Sequence, residues 1–173
     1  YSAPGLTSCE TCAAGQVDLD HDASTPCVDC SAGEYAASGA TSCSICPSGE
    51  IDDDSDASTP CTACDVGSYS SAGSTECIAC GAGSADLDSN PATACESCGM
   101  GKYSAPAATS CETCAAGQVD IDSDSSTPCV SCPSGHYAAS GVTSCSACLS
   151  GEVDDDRDAS TPCIACAVGR LSL

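Results

Sequence analysis

Apolar residues along this chain are small and scattered, and nowhere do they recur at the 3.6-residue interval of an amphipathic helix. The recurring local pattern is a glycine, one polar residue and one larger side chain. It reads G-x-Y, as in Gly33-Glu34-Tyr35, or G-x-[VI]-D, as in Gly15-Gln16-Val17-Asp18. Glycine there suits a turn at positive φ, and a short run with strand character follows it. A polar loop follows, and then a return to cysteine. The pattern predicts a small disulfide-rich fold, mostly irregular with short β-strands and little α-helix.

The cysteines set the period. They fall at Cys9, Cys12, Cys27, Cys30, Cys43, Cys46, Cys61, Cys64, Cys77, Cys80, Cys95, Cys98, Cys111, Cys114, Cys129, Cys132, Cys145, Cys148, Cys163 and Cys166, and every one belongs to a C-x-x-C pair. Gaps between pairs alternate between fourteen and twelve residues, so the unit is 34 residues, repeated five times. A fixed period of this size marks a modular array rather than one domain. The expected units are 1–34, 35–68, 69–102, 103–136 and 137–170, with 171–173 opening another or a degenerate unit, in an elongated tandem-repeat rod. Tyr1, Tyr35, Tyr69, Tyr103 and Tyr137 mark the same register, with Leu171 at the next position. A longer repeat is nested inside: the segment from Tyr1 nearly recurs from Tyr103, 102 residues on. The chain opens in the middle of a repeat, which reads as an excerpt of a longer array.

Composition says what must hold such units together. The 42% of residues counted as hydrophobic is inflated by alanine and by 20 cysteines; Trp and Phe are absent and Met occurs once. No unit can bury a sizeable core, so something covalent or metallic must replace it. Cysteine at this density signals a disulfide scaffold and an oxidising compartment, hence an extracellular or cell-surface protein. The formal net charge is −22 with three basic residues. That argues against nucleic acid, whose backbone demands Lys and Arg, and against anionic membrane surfaces. No segment suits membrane insertion.

Four cysteines allow three pairings, and spacing does not choose among them. The motif C-x-x-C-x-x-G-x-Y…G-x-T-S-C-x-x-C resembles the ephrin-receptor-like cysteine-rich repeat. It is also similar to tumour-necrosis-factor-receptor-type modules and to the periodic CxxC surface antigens of ciliates. The resemblance covers essentially the whole chain and implies extracellular, disulfide-bonded rods. The receptor-type modules further imply first-to-third and second-to-fourth pairing, as Cys9–Cys27 with Cys12–Cys30. An offset frame, joining Cys30 to Cys43 and so on, competes with it. Paired C-x-x-C motifs also resemble four-thiolate zinc sites. Zinc modules usually sit in reducing compartments, so disulfides are expected and zinc is not. A thioredoxin-like role lacks its βαβ context.

The resemblance does not account for the longer gap, which carries alternating acids. The sets are Asp18, Asp20 and Asp22; Asp52, Asp54 and Asp56; Asp86, Asp88 and Asn90; Asp120, Asp122 and Asp124; and Asp154, Asp156 and Asp158. On a strand these would line one face, and hard oxygen ligands so arranged suit Ca²⁺. The loop is not an EF-hand, because position six is never glycine. The plainer alternative is a solvated acidic loop that keeps the chain dispersed.

Threonines recur in two registers. Thr25, Thr59, Thr93, Thr127 and Thr161 lie in the acidic gap, mostly as S-T-P-C; Thr7, Thr41, Thr75, Thr109 and Thr143 lie in the tyrosine gap as T-S-C or T-E-C. Small residues and proline around threonine suit O-linked glycans, and turn chemistry is the competing use. His21 and His136 sit at unrelated register positions, and no nucleophile, phosphate-loop or cofactor motif occurs, so no enzymatic role is expected. The sequence reads as part of a structural fibril, surface coat or appendage whose partner is further copies of itself. The alternatives are a receptor or adhesin ectodomain that binds a protein ligand, and an acidic calcium store.

Overall fold

The structure, a computed structural model, describes residues 8–167. Tyr1, Thr7 and Leu171 lie outside them, as do the outer ends of the first and last expected units. The described residues contain no helix; every strand is two residues long, and the strands pair into nine two-stranded antiparallel sheets. The first hairpin joins β1 (Gln16–Val17) to β2 (Val28–Asp29), with Val17 opposite Val28. The second joins β3 (Glu34–Tyr35) to β4 (Ser44–Ile45), with Tyr35 opposite Ser44. The two patterns then alternate along the chain.

In each hairpin the first strand follows the turn glycine, as the G-x-Y and G-x-[VI] patterns predict. The second strand is the central pair of a C-x-x-C. That placement explains the disulfide frame. Residues three apart in an extended segment face opposite sides, so one sulfur of each C-x-x-C is directed back along the chain and the other forward. The bonds are Cys12–Cys27, Cys30–Cys43, Cys46–Cys61, Cys64–Cys77, Cys80–Cys95, Cys98–Cys111, Cys114–Cys129, Cys132–Cys145 and Cys148–Cys163. This is the offset frame. The pairing implied by the receptor-type modules is not formed: Cys27 bonds to Cys12 and not to Cys9, and Cys30 bonds to Cys43. Cys9 and Cys166 carry no disulfide.

Each disulfide closes one hairpin and defines a lobe. Acidic lobes have a sequence separation of 15 between their cysteines, and tyrosine lobes 13. Sulfur supplies much of the interior: Cys46 and Cys114 are wholly buried, and Cys80 nearly so. The remaining apolar interior is small, consisting of Val17, Ile51, Ala85 and Val119 after the acidic-lobe glycines, with Ala36 and Ala138.

The chain forms two compact units, Tyr1–Ala79 with Ser89–Ala94, and Cys80–Asp88 with Cys95–Leu173. Within the first, lobes are joined by backbone hydrogen bonds. The Gly15 N–H donates to Ala36 O (2.8 Å), and the Ala36 N–H donates to Ala57 O (2.9 Å). Gly49 donates to Ser70 O, and Ser70 to Pro91 O, both at 3.1 Å. The second unit repeats the arrangement from Gly83 through Ser104 to Ser125, and from Gly117 through Ala138 to Ala159. Ser70 stands where Ala36 does, and its buried hydroxyl is satisfied by donating to Glu50 O at 2.9 Å.

Candidate functional site

The acidic loops are the chemically distinctive part of the repeat. The expectation that their three acids share one strand face is not met. The strand ends at Val17, and each acid then takes a different position. The physical reason is local competition: carboxylates accept backbone N–H groups two residues on and so bend the chain out of the ladder.

The first acid of the set is turned inward. Asp52, Asp86 and Asp120 are each 5% exposed, while Asp18 and Asp154 are half-buried. Asp52 Oδ2 accepts the N–H of Gly33, the turn glycine of the preceding tyrosine lobe, at 2.9 Å. Asp120 accepts from Gly101 at 3.1 Å, and Asp154 from Gly135 at 3.1 Å. The other oxygens of Asp52 and Asp120 are buried with no hydrogen-bond partner. These aspartates therefore act as clamps between consecutive lobes.

The second and third acids build the loop itself. Asp20 Oδ1 accepts the N–H of Asp22 at 3.0 Å, and Asp54, Asp122 and Asp156 accept from Asp56, Asp124 and Asp158 in the same way. The residue between these two acids is held in the left-handed region, at φ 56° for His21 and 57° for Arg157; Ser55, Ser89 and Ser123 share the conformation. Next, Asp22 Oδ1 accepts the N–H of Ser24 at 2.9 Å. In the divergent copy Asn90 Oδ1 accepts from Ala92 at 3.1 Å. Here the amide oxygen does the carboxylate's work, which explains why asparagine is accepted at the third position.

Threonine closes the loop. Thr25 Oγ1 donates to the Asp20 carboxylate, with both oxygens at 2.9 Å, and lies 2.9 Å from Asp22 O. Thr59, Thr127 and Thr161 do the same with Asp54, Asp122 and Asp156, while Thr93 Oγ1 donates to Asn90 O. These bonds favour ionised acids. The Asp22 N–H, and then the Thr25 hydroxyl, hold the Asp20 carboxyl below its ordinary value. The N–H and then the hydroxyl of Ser24 lower Asp22. The hydroxyls of Ser58, Ser126 and Ser160, with their N–H groups, lower Asp56, Asp124 and Asp158.

The tyrosine lobes turn by other means. Gly39, Gly73 and Gly141 adopt positive φ (78°, 76° and 77°), and Ala107 holds the same position at 58°. The N–H groups of Gly39 and Gly73 donate to Cys12 O and Cys46 O, both at 2.8 Å, seating each tyrosine loop on the preceding acidic lobe. Thr41, Thr75 and Thr109 stand exposed in these loops, with Thr143 half-buried. Tyr35, Tyr69, Tyr103 and Tyr137 are half-buried; the Tyr103 hydroxyl donates to Glu112 at 2.6 Å, which raises its pKa.

Cys30, Glu34 and Cys43 bring three ligand-type atoms within 4.8 Å of one another. The two sulfurs are bonded to each other, and Glu34 Oε2 accepts the Ser31 N–H, so the group is the crosslinked base of a hairpin. Sequence reasoning missed the inward turn of the first acid and the left-handed residue after the second. The one available signal is the differing tolerance within the set, since only its third position changes to asparagine, at Asn90.

No protein-family model matches the chain, and no curated protein matches it. The structure defines a class, a disulfide-stapled tandem-repeat protein built of alternating hairpin lobes.

Proposed function

We propose that the chain is a segment of an extracellular structural protein, part of a fibril, surface coat or appendage, whose partners are further copies of itself. The observation that carries this reading is the use of chemistry repeated from unit to unit for joining lobes. Turn-glycine N–H groups, buried aspartates and sulfurs all bond one lobe to another or close a lobe. Nine disulfides suit an oxidising compartment, and no helix of the described residues is long and apolar enough to cross a membrane. Lobes that bond mainly to their neighbours in sequence suit an array extended by adding units. Most of the acidic side chains described above are engaged in loop and lobe bonds, which supports a scaffolding role for them before a calcium-storing or catalytic one. Exposed threonines on the tyrosine loops are candidate acceptors for O-linked sugars. Negative-stain microscopy of native material labelled with an antibody to this segment tests the reading. Labelled filaments or a regular coat are expected; label confined to isolated receptors in a membrane would overturn it.

A further inference from the structure

We propose that O-glycosylation of this chain is register-selective: the tyrosine-loop set Thr41, Thr75 and Thr109 takes the sugar, and the acidic-loop set Thr25, Thr59, Thr127 and Thr161 does not. The inference rests on the extracellular reading above and adds which hydroxyls react. The two sets differ in what holds them. Thr25 Oγ1 sits among three oxygens at 2.9 Å, two from Asp20 and one from Asp22. Thr59 lies 3.0 and 3.1 Å from the Asp54 oxygens and 2.9 Å from Asp56 O. Thr127 and Thr161 repeat this geometry. Thr25, Thr59 and Thr127 are also half-buried. Thr41, Thr75 and Thr109 are exposed, and their hydroxyls donate to no described residue.

The transfer makes the consequence clear. Threonine Oγ1 attacks the anomeric carbon of a nucleoside-diphosphate sugar. The bond from that carbon to the diphosphate breaks, the diphosphate leaves with the electron pair, and the hydroxyl proton passes to a base of the transferase. An acidic-loop threonine must first leave its carboxylate, which opens the loop. Its flanking acids also repel the donor's diphosphate. Local sequence pulls the other way, because the acidic-loop threonines carry the proline-bearing S-T-P-C context. A preference for the tyrosine loops therefore has to come from the fold.

The test compares the oxidised 173-residue chain with the same chain reduced and alkylated. Each is treated with a polypeptide N-acetylgalactosaminyltransferase and UDP-N-acetylgalactosamine, and sites are read by fragmentation mass spectrometry. In the oxidised chain, occupancy of Thr41, Thr75 and Thr109 should exceed that of the acidic-loop set by about tenfold, the effect of breaking one charge-assisted hydrogen bond. Alkylation should erase the difference. Asp54→Ala in the oxidised chain should raise occupancy at Thr59 and leave Thr25 unchanged. Equal occupancy of both sets in the oxidised chain, or an unchanged preference after alkylation, would overturn the selectivity. Failure of both forms to accept any sugar would instead overturn the acceptor reading beneath it.

Discussion

The acidic and tyrosine lobes are the same hairpin finished in two ways. Both begin at a glycine of positive φ, pair two residues with two, and close through one disulfide. They part at the loop. Both loops pass through a residue of positive φ; in the acidic lobe it is a non-glycine residue flanked by aspartates that accept the loop's own N–H groups, whereas in the tyrosine lobe it is glycine, or alanine at Ala107. The difference shows that a carboxylate and a glycine are two solutions to one problem, that of reversing a chain with no core to fold over. It also assigns the acids a structural purpose that solubility alone does not require.

The comparison is broken most severely at what both lobes share. Replacing Cys46 and Cys61 by serine removes an acidic-lobe crosslink, and replacing Cys64 and Cys77 removes a tyrosine-lobe crosslink. Loop lengths are nearly equal, so each pair should cost about 3 kcal/mol, read from denaturant midpoints. A large effect in only one kind of lobe would show that the two are not equivalent.

Glycines separate next. A Cβ on Gly33, at φ 82°, would run into the carbonyl of Gly73, whereas one on Gly39, at φ 78°, would meet open space. Gly33→Ala should lose about 3 kcal/mol from strain and overlap together. Gly39→Ala should lose about 1 kcal/mol, in keeping with Ala107, which already occupies the equivalent position. Thermal melts of the two variants check the ordering.

The acids should then divide by position in their set. Asp52→Ala leaves the buried Gly33 N–H without its acceptor and should cost about 1–3 kcal/mol. Asp52→Asn keeps an acceptor oxygen and should recover most of that loss. Asp56→Asn should be nearly silent, because Asn90 already serves at that position.

The smallest effect is that of pH. Asp20, Asp22, Asp56, Asp124 and Asp158 have folded pKa values lowered by their loop donors. A lowered folded pKa contributes stability that is present above the unfolded value, about 4, and is lost as pH falls through the folded one. Amide protection factors, corrected for the intrinsic pH dependence of exchange, should therefore fall in acidic loops below about pH 4 while those of tyrosine loops hold. A uniform response would remove the distinction.

Much of the hairpin was legible because its signals are short and repeated. Glycine followed by a polar and a larger residue placed the first strands, as at Gln16–Val17 and Glu34–Tyr35. The disulfide frame was not legible, because both pairings close loops of similar length and the second strands carry no common residue. Val28-Asp29, Ser44-Ile45 and Glu96-Ser97 share only their place inside C-x-x-C. The alternating acids misled for a related reason. Period two suggests a strand, but Asp20 accepts the N–H of Asp22 and ends any ladder there. The inward position of Asp52 depends on Gly33, nineteen residues earlier, which no local pattern reveals.

The account depends on each C-x-x-C sending one sulfur back and one forward. Digestion of the unreduced chain, followed by mass spectrometry of the linked peptides, measures this directly. The prediction is Cys46 linked to Cys61 and Cys64 linked to Cys77. Recovery of Cys43 linked to Cys61 with Cys46 linked to Cys64 would contradict it.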